Sequence, residues 1–287
     1  MLKKTDNKTK SLKIPKLITL TASFLEIIST KLATVFAAKL FRTPIKHKIP
    51  KRELIMDQNS TQFKLFIPSI KKEIVIYKYG ESSKKILLVH GWSGRGTQMY
   101  KIADELIKNG YSTISFDAPS HGKSSGNSTI MVEFIASILE IQKVLGPFDA
   151  AVGHSLGGMS LLNSVNKNLN LNKLVIIGSG NLISDIIKDF VYDIGMKSKQ
   201  KKLLQLYFEK KYKEKMDNFS SYINAQKINI PVLIIHDQND DEVSIKCAYQ
   251  IMENLKTGKL LITENLGHRK ILGNEKVIFE IIKFIKD

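Results

Sequence analysis

A chain of 287 residues, 43% apolar and 25% charged, is long enough for one large domain with an insertion, or two small ones, and can bury a proper core. Its formal charge of +17 admits nucleic acid, anionic membrane or acidic substrate as partner; no zinc-finger spacing or RNA-binding aromatic signature accompanies it, so no nucleic-acid partner is expected and the excess reads as lysines on solvated faces. A single cysteine, Cys247, excludes an intrachain disulfide and fits a reducing, cytoplasmic setting.

The segment Leu17 to Phe41 follows six lysines (Lys3, Lys4, Lys8, Lys10, Lys13 and Lys16). Glu26 and Lys31 interrupt its apolar run, which is too broken for a secretory signal core or a spanning helix. Polar residues recur at Thr19, Ser23, Glu26, Thr30 and Thr34 as one stripe, predicting an amphipathic helix with a wide apolar face. Such a helix packs on the body, oligomerises, or lies on an anionic membrane with its lysines at the headgroups. Thr43-Pro44 and Ile49-Pro50 end it, so residues 1–60 form an amino-terminal helical extension.

Phe63 to Ile67 and Glu73 to Tyr79 then read as an antiparallel strand pair. The continuous apolar run Lys85 to Val89 predicts a central parallel strand buried on both faces. A helix over Met99 to Ile107, a strand over Ser112 to Phe116 and a helix from about Thr129 to Val144 follow. Strand Ala150–Gly153, a helix from Ser155 to Val165 and strand Leu174–Ile177 come next. After Gly178 the alternation breaks for about fifty residues, resuming with strand Val232–Ile235. Cys247 lies in a helical pattern with Val243, Ile245, Ala248 and Ile251 and reads as a buried structural thiol. A strand at Leu260–Thr263 and a helix from Lys276 to Ile285 complete the chain. This alternation predicts an α/β fold: a mostly parallel sheet with helices on both faces.

Gly153-His154-Ser155-Leu156-Gly157-Gly158 falls where a strand meets a helix. A serine projected from so sharp a turn sits in strained backbone, and the residues two before and two after it must lack bulk; Gly153 and Gly157 meet that condition. The turn also puts Ser155 at a helix amino end, where N–H groups favour negative charge. With this motif the chain resembles the α/β-hydrolase superfamily, in its broad group of esterases, lipases, thioesterases and S33-type serine hydrolases. The resemblance runs from about Lys71 to the end. His90-Gly91-Trp92 matches the superfamily's oxyanion loop. Asp117 to Ser124 resembles D-x-P-G-H-G-x-S with Ser120 in place of the first glycine, and His236 to Ser244 resembles H-G-x-x-D-x-x-V-P, departing at Asp237 and Ser244.

The resemblance implies a nucleophile, acid, base order, and of six histidines only His268, after the last strand, stands in the place of the base. Asp240 is in register as the acid, with Asp237 and Asp241 as competitors. The backbone N–H groups of Leu156 and Trp92 are the implied oxyanion donors. Residues 61–180 and 231–287 become the hydrolase core and 181–230 a helical cap, rich in aromatics (Phe190, Tyr192, Tyr207, Phe208, Tyr212, Phe219, Tyr222) and lysines. The implied activity is cleavage of a small-molecule carboxylic ester, with a lipophilic acyl ester as a sharper form. Thioester or peptide hydrolysis and a non-catalytic membrane-associated binding protein are the alternatives. No metal-ligand cluster or nucleotide fingerprint occurs, so no metal or cofactor is expected, and the cap lysines and amino-terminal helix are the surfaces that would meet an anionic membrane.

Overall fold

Apolar runs bounded by glycine and proline place eight strands in one sheet, and the computed structural model, which describes residues 14–287, orders them β1-β2-β4-β3-β5-β6-β7-β8. The strands are β1 (Thr61–Ile67), β2 (Lys72–Tyr79), β3 (Lys85–Val89), β4 (Ser112–Asp117), β5 (Ala150–His154), β6 (Lys173–Ile177), β7 (Val232–Asp237) and β8 (Gly258–Thr263). β1 pairs antiparallel with β2, and β2 antiparallel with β4; from β4 onward every pairing is parallel.

Helices cover both faces: α4 (Tyr100–Lys108) and α12 (Glu275–Lys286) on one, α5 (Met131–Leu145), α6 (Leu156–Val165), α9 (Ser221–Ala225) and α10 (Lys246–Met252) on the other. Within β3, Leu87 and Val89 enter one core and Ile86 and Leu88 the other, as period-two alternation requires. From β3 the chain moves one way to β4 and then crosses to β5. The carboxyl ends of β3 and β5 therefore flank a topological switch point, where the diverging connections leave a crevice.

A third apolar cluster sits over the start of α6. It joins α5, Met159 and Leu156 to the cap helices α7 (Ile183–Asp193) and α8 (Lys199–Tyr212) and to an amino-terminal hairpin. The hairpin is two helices, α1 (Lys16–Ile28) and α2 (Thr30–Phe41), where the periodicity predicts one. Ser29 is the reason: its backbone is extended, and its side chain accepts from Leu32 N–H, capping the second helix. Lys3 to Lys13 lie outside the described residues. A short 3-10 turn (Lys51–Glu53) and α3 (Leu54–Asn59) then lead into β1, and neither was legible as an element. Cys247 is half-buried on α10, and burial pushes its thiol up to about 11, which suits packing better than reactivity.

Candidate active site

The turn between β5 and α6 carries Ser155, with φ 52° and ψ −119°. A non-glycine residue held there stores about 1–3 kcal/mol of strain, which only a rigid surround sustains. Ser155 N–H donates to Ile177 O on β6 at 2.8 Å. A Cβ on Gly157 would lie 2.2 Å from Val89 O, and one on Gly153 would lie 2.6 Å from Gly158 N. Both glycines are therefore demanded by backbone, not by side chains that could yield. Gly91 is crowded by the nucleophile's own side chain, since a Cβ there would meet Ser155 Cβ at 2.9 Å.

Two N–H groups beside this serine have no protein acceptor among the described residues: Leu156, at the start of α6, and Trp92, in the loop after β3. That loop is held from below. His90 Nδ1–H donates to Gly91 O (2.7 Å) and its Nε2 accepts from Ala118 N–H (3.0 Å). His121 Nδ1–H donates to Pro119 O (3.0 Å) and its Nε2 accepts from Ser93 N–H (3.0 Å). A carbonyl can only accept, so each ring has one fixed neutral tautomer. Burial lowers both imidazoles, to about 4 for His90 and about 3 for His121. Asp117 accepts from Gly96 N–H, Lys123 N–H and Tyr77 O–H at 2.7–2.9 Å, pinning the far side of the loop. Ser120, where the family pattern has glycine, adopts the left-handed φ of 68° and donates its hydroxyl to Ser128 O.

On the other side of the crevice, Asp240 Oδ2 accepts from His268 Nδ1–H at 2.7 Å, both side chains being nearly inaccessible. Asp240 Oδ1 accepts from Glu242 N–H and Val243 N–H at 2.9 and 2.8 Å. Burial alone would raise this carboxyl; the hydrogen bond and charge of His268 and the two backbone donors outweigh it and hold it below the usual range. The competing aspartates are disposed elsewhere. Asp237 accepts from Thr263 Oγ1–H and Leu266 N–H, bracing the loop before His268, and Asp241 is exposed.

His268 sits against β5 and β6. A Cβ on Gly178 would lie 3.1 Å from its Nδ1, and its carbonyl accepts from His154 Nε2–H at 2.9 Å, the two rings 4.6 Å apart. Ser155, one residue on, makes no hydrogen bond to His268 among the described residues. His268 Nε2 instead faces Glu242 Oε2 at 4.0 Å, a carboxylate paired with Arg269 at 2.9 Å. The structure thus joins Asp240 to His268 and brings Ser155 onto the same ridge, with Trp92 and Leu156 beside it.

Two groups at this site carry no sequence signal. His154 clamps the His268 loop, although it reads simply as a motif residue. Glu53, buried on the turn before α3, accepts from Thr97 Oγ1–H at 2.8 Å and faces Arg95 Nε at 3.6 Å, tethering the amino-terminal extension to the Trp92 loop. The cap aromatics are placed by packing: Phe190 and Phe208 meet Phe41 of α2 at 5.1 and 5.4 Å, Tyr207 and Tyr212 pack on Phe208, and Tyr192 faces solvent.

A family model described as "Alpha/beta hydrolase family" matches residues 86–208, and one described as "Prolyl oligopeptidase family" matches residues 149–285. No curated protein sequence matches the chain. Among solved structures, an esterase from Exiguobacterium antarcticum superposes with a TM-score of 0.61 at 17% identity, over 76% of this chain and 97% of its own. A proline iminopeptidase from Mycobacterium smegmatis gives 0.60 at 12%, over 79% and 98%. A membrane phospholipase A, described as a bacterial virulence factor, gives 0.63 at 14%, over 95% and 98%.

Proposed function

Because the chain belongs to the α/β-hydrolase superfamily, we propose that it is a serine hydrolase that cleaves a carboxylic ester through an acyl-serine. The observation that carries this reading is the buried Asp240–His268 pair standing on the same ridge as the strained Ser155. Residues 61–180 and 231–287 are then the catalytic core, and the insertion 181–230 carries the cap helices α7 and α8 before α9 returns to the sheet.

A serine hydroxyl is a weak nucleophile until a neutral imidazole removes its proton. As substrate binds, Ser155 Oγ and His268 Nε2 come into hydrogen-bond contact, a contact that commonly tightens only in the complex. His268 takes the proton while Oγ bonds to the carbonyl carbon. Asp240 keeps the proton of Nδ1 in place and stabilises the imidazolium. The carbonyl oxygen, now negative, receives the free N–H groups of Leu156 and Trp92, each donor lowering the barrier by about 3 kcal/mol. The imidazolium then protonates the departing alkoxide, leaving an acyl-serine. Water, deprotonated by His268, attacks that acyl carbon; the proton returns to Oγ and the carboxylic acid leaves. Both strained backbone and free donors are in place before substrate arrives.

The same machinery serves thioesters and peptides, since fold alone does not choose the leaving group. The test is labelling by a fluorophosphonate followed by a panel of p-nitrophenyl esters of rising chain length, beside acyl-CoA and aminoacyl amides. Wild-type protein is expected to label and to prefer esters, and Ser155→Ala to lose labelling and about four or more orders of magnitude in kcat. Folded wild-type protein that does not label overturns the assignment; faster turnover of acyl-CoA or amides reassigns the substrate class.

A further inference from the structure

The amino-terminal hairpin wears its polar side inward. Ser23 Oγ–H donates to Gly195 O at 3.3 Å, Glu26 accepts from Lys197 N–H at 3.2 Å, and Thr34 Oγ1–H reaches Gln200 at 3.0 Å. The polar stripe is therefore the one that grips the cap, with Ala22, Ala33, Ala37 and Ala38 buried beside it. Outward point Leu17, Leu20, Phe24, Ile27 and Ile28 of α1, continued by Leu32 and Val35 of α2, all between 47% and 84% exposed. The spacing in α1 keeps its five on one helical face. Single exposed apolar residues are ordinary; seven on adjoining helices form a patch that a protein in water rarely leaves open.

The surrounding charge says what covers it. Lys16, Lys31 and Lys39 stand exposed along the same outer faces, and exposed Lys197, Lys199 and Lys202 lie where the hairpin meets the cap. Glu26, the only acid in the two helices, is turned inward onto Lys197 N–H. An apolar stripe on two helices whose exposed charges are all lysines matches acyl chains beneath anionic headgroups. A second copy of the chain fits worse, because its own lysines would face these and each chain carries +17. Neither helix spans a bilayer: at 13 residues α1 is about 20 Å long, against about 30 Å of hydrocarbon, and among the described residues no helix is long and apolar enough to cross.

We propose that the outer face of the α1–α2 hairpin is a docking surface for an anionic phospholipid bilayer, on which both helices lie in the plane of the interface. Just past α2 the chain runs onto the candidate site: Thr129 N–H donates to Arg42 O at 2.8 Å, and Ile45 N–H donates to Ser93 Oγ at 3.0 Å, next to Trp92. Docking holds the crevice close to lipid. The inference stands on the hairpin alone and not on the hydrolase reading.

The test is flotation of the full chain with vesicles of phosphatidylcholine alone and of phosphatidylcholine mixed with phosphatidylglycerol. Binding is expected on the mixed vesicles and to weaken as salt rises. Phe24→Gln with Ile27→Gln should lower partition at least about tenfold, since two buried side chains leave the bilayer. Replacing Lys16, Lys31 and Lys39 by Gln should lower it roughly fivefold per lysine. All five side chains are exposed, so the melting curve and fluorophosphonate labelling should not move; labelling fails only if the hydrolase reading fails, flotation only if docking does. Absence of flotation overturns the proposal, as does equal flotation of wild type and variants. A concentration-dependent dimer that Phe24→Gln with Ile27→Gln dissolves, without vesicle binding, assigns the face to a second copy instead.

Discussion

The carboxyl edge of the sheet and the helical layer beside it solve burial in opposite ways. At the edge, large side chains such as Leu87, Phe116 and Phe134 fill the interior, and the carboxylates that enter it are saturated with donors: three on Asp117 and three on Asp240. In the hairpin the fully buried apolar residues are alanines; Leu25, Phe36, Leu40 and Phe41 are only partly buried against the cap, and seven large apolar residues stay outside. Small residues let helices approach closely but bury little area per contact, so the hairpin is held by few kilocalories and the edge by many. Saturated buried carboxylates are concentrated at the edge that carries the candidate site, and the layer seated on small residues is the one with an unpartnered face.

The widest separation between the two regions should appear on adding one methyl group to the elbow. Gly157→Ala places a carbon 2.2 Å from Val89 O and 2.7 Å from His90 O, both backbone atoms of the sheet and its loop. β3 and α6 must part, and the expected loss is about 3 kcal/mol or more, read as a lowered urea midpoint or loss of soluble protein. Leu20→Ala on the open face deletes three carbons yet should change the unfolding free energy by less than about 0.5 kcal/mol. Equal effects would erase the contrast.

That contrast also marks where the sequence was readable. Strands β3 to β7 fall within a residue or two of their expected bounds, because runs such as Lys85 to Val89 leave a buried parallel strand little alternative. Chain order singled out His268 and Asp240, and the structure gives the physical reason that Asp237, three residues earlier, is not His268's partner: its Oδ2 is taken up by Thr263 and Leu266 and its Oδ1 by Asn239 N–H. The amino-terminal segment was less legible. Period alone locates a polar stripe without saying which side faces the protein, and the break at Ser29 is visible only as a Ser-Thr pair suited to a helix cap. Glu53 was invisible because its partners Arg95 and Thr97 lie some forty residues away, outside any periodic pattern. Cap aromatics could be counted, but their packing on Phe41 depended on a hairpin whose fold was not foreseen.

Acid should strain the edge more than the layer. Burial lowers His154 to about 3, and it stays neutral while its Nε2–H holds the His268 carbonyl. An unfolded chain takes up that proton near 6.5, so stability falls as pH drops from there toward the folded value. His154→Gln keeps a donor for the carbonyl but cannot titrate. Wild type should therefore lose on the order of 1–2 kcal/mol more than this variant between pH 7 and pH 5, by urea titration at each pH. Parallel pH curves for the two proteins would show that His154 is not held neutral by its burial.

The smallest effect should come from a buried polar group in the layer. Gln200 is inaccessible between α8 and α2, yet its Nε2 has no acceptor, and its one bond is the 3.0 Å contact from Thr34 Oγ1. That hydroxyl keeps a second acceptor, Thr30 O at 2.8 Å, within its own helix. Gln200→Met preserves length and volume, removes the orphaned donor, and leaves Thr34 satisfied. The expected change in unfolding free energy is within about 0.5 kcal/mol of zero, with stabilisation as admissible as loss. At the edge, by contrast, truncating Asp240 to Ala would strip a buried imidazole and two backbone N–H groups of their acceptor. A loss of about 2 kcal/mol or more from Gln200→Met would mean that the layer, too, holds its polar groups by networks, and the division between the two regions would fail at its weakest contact.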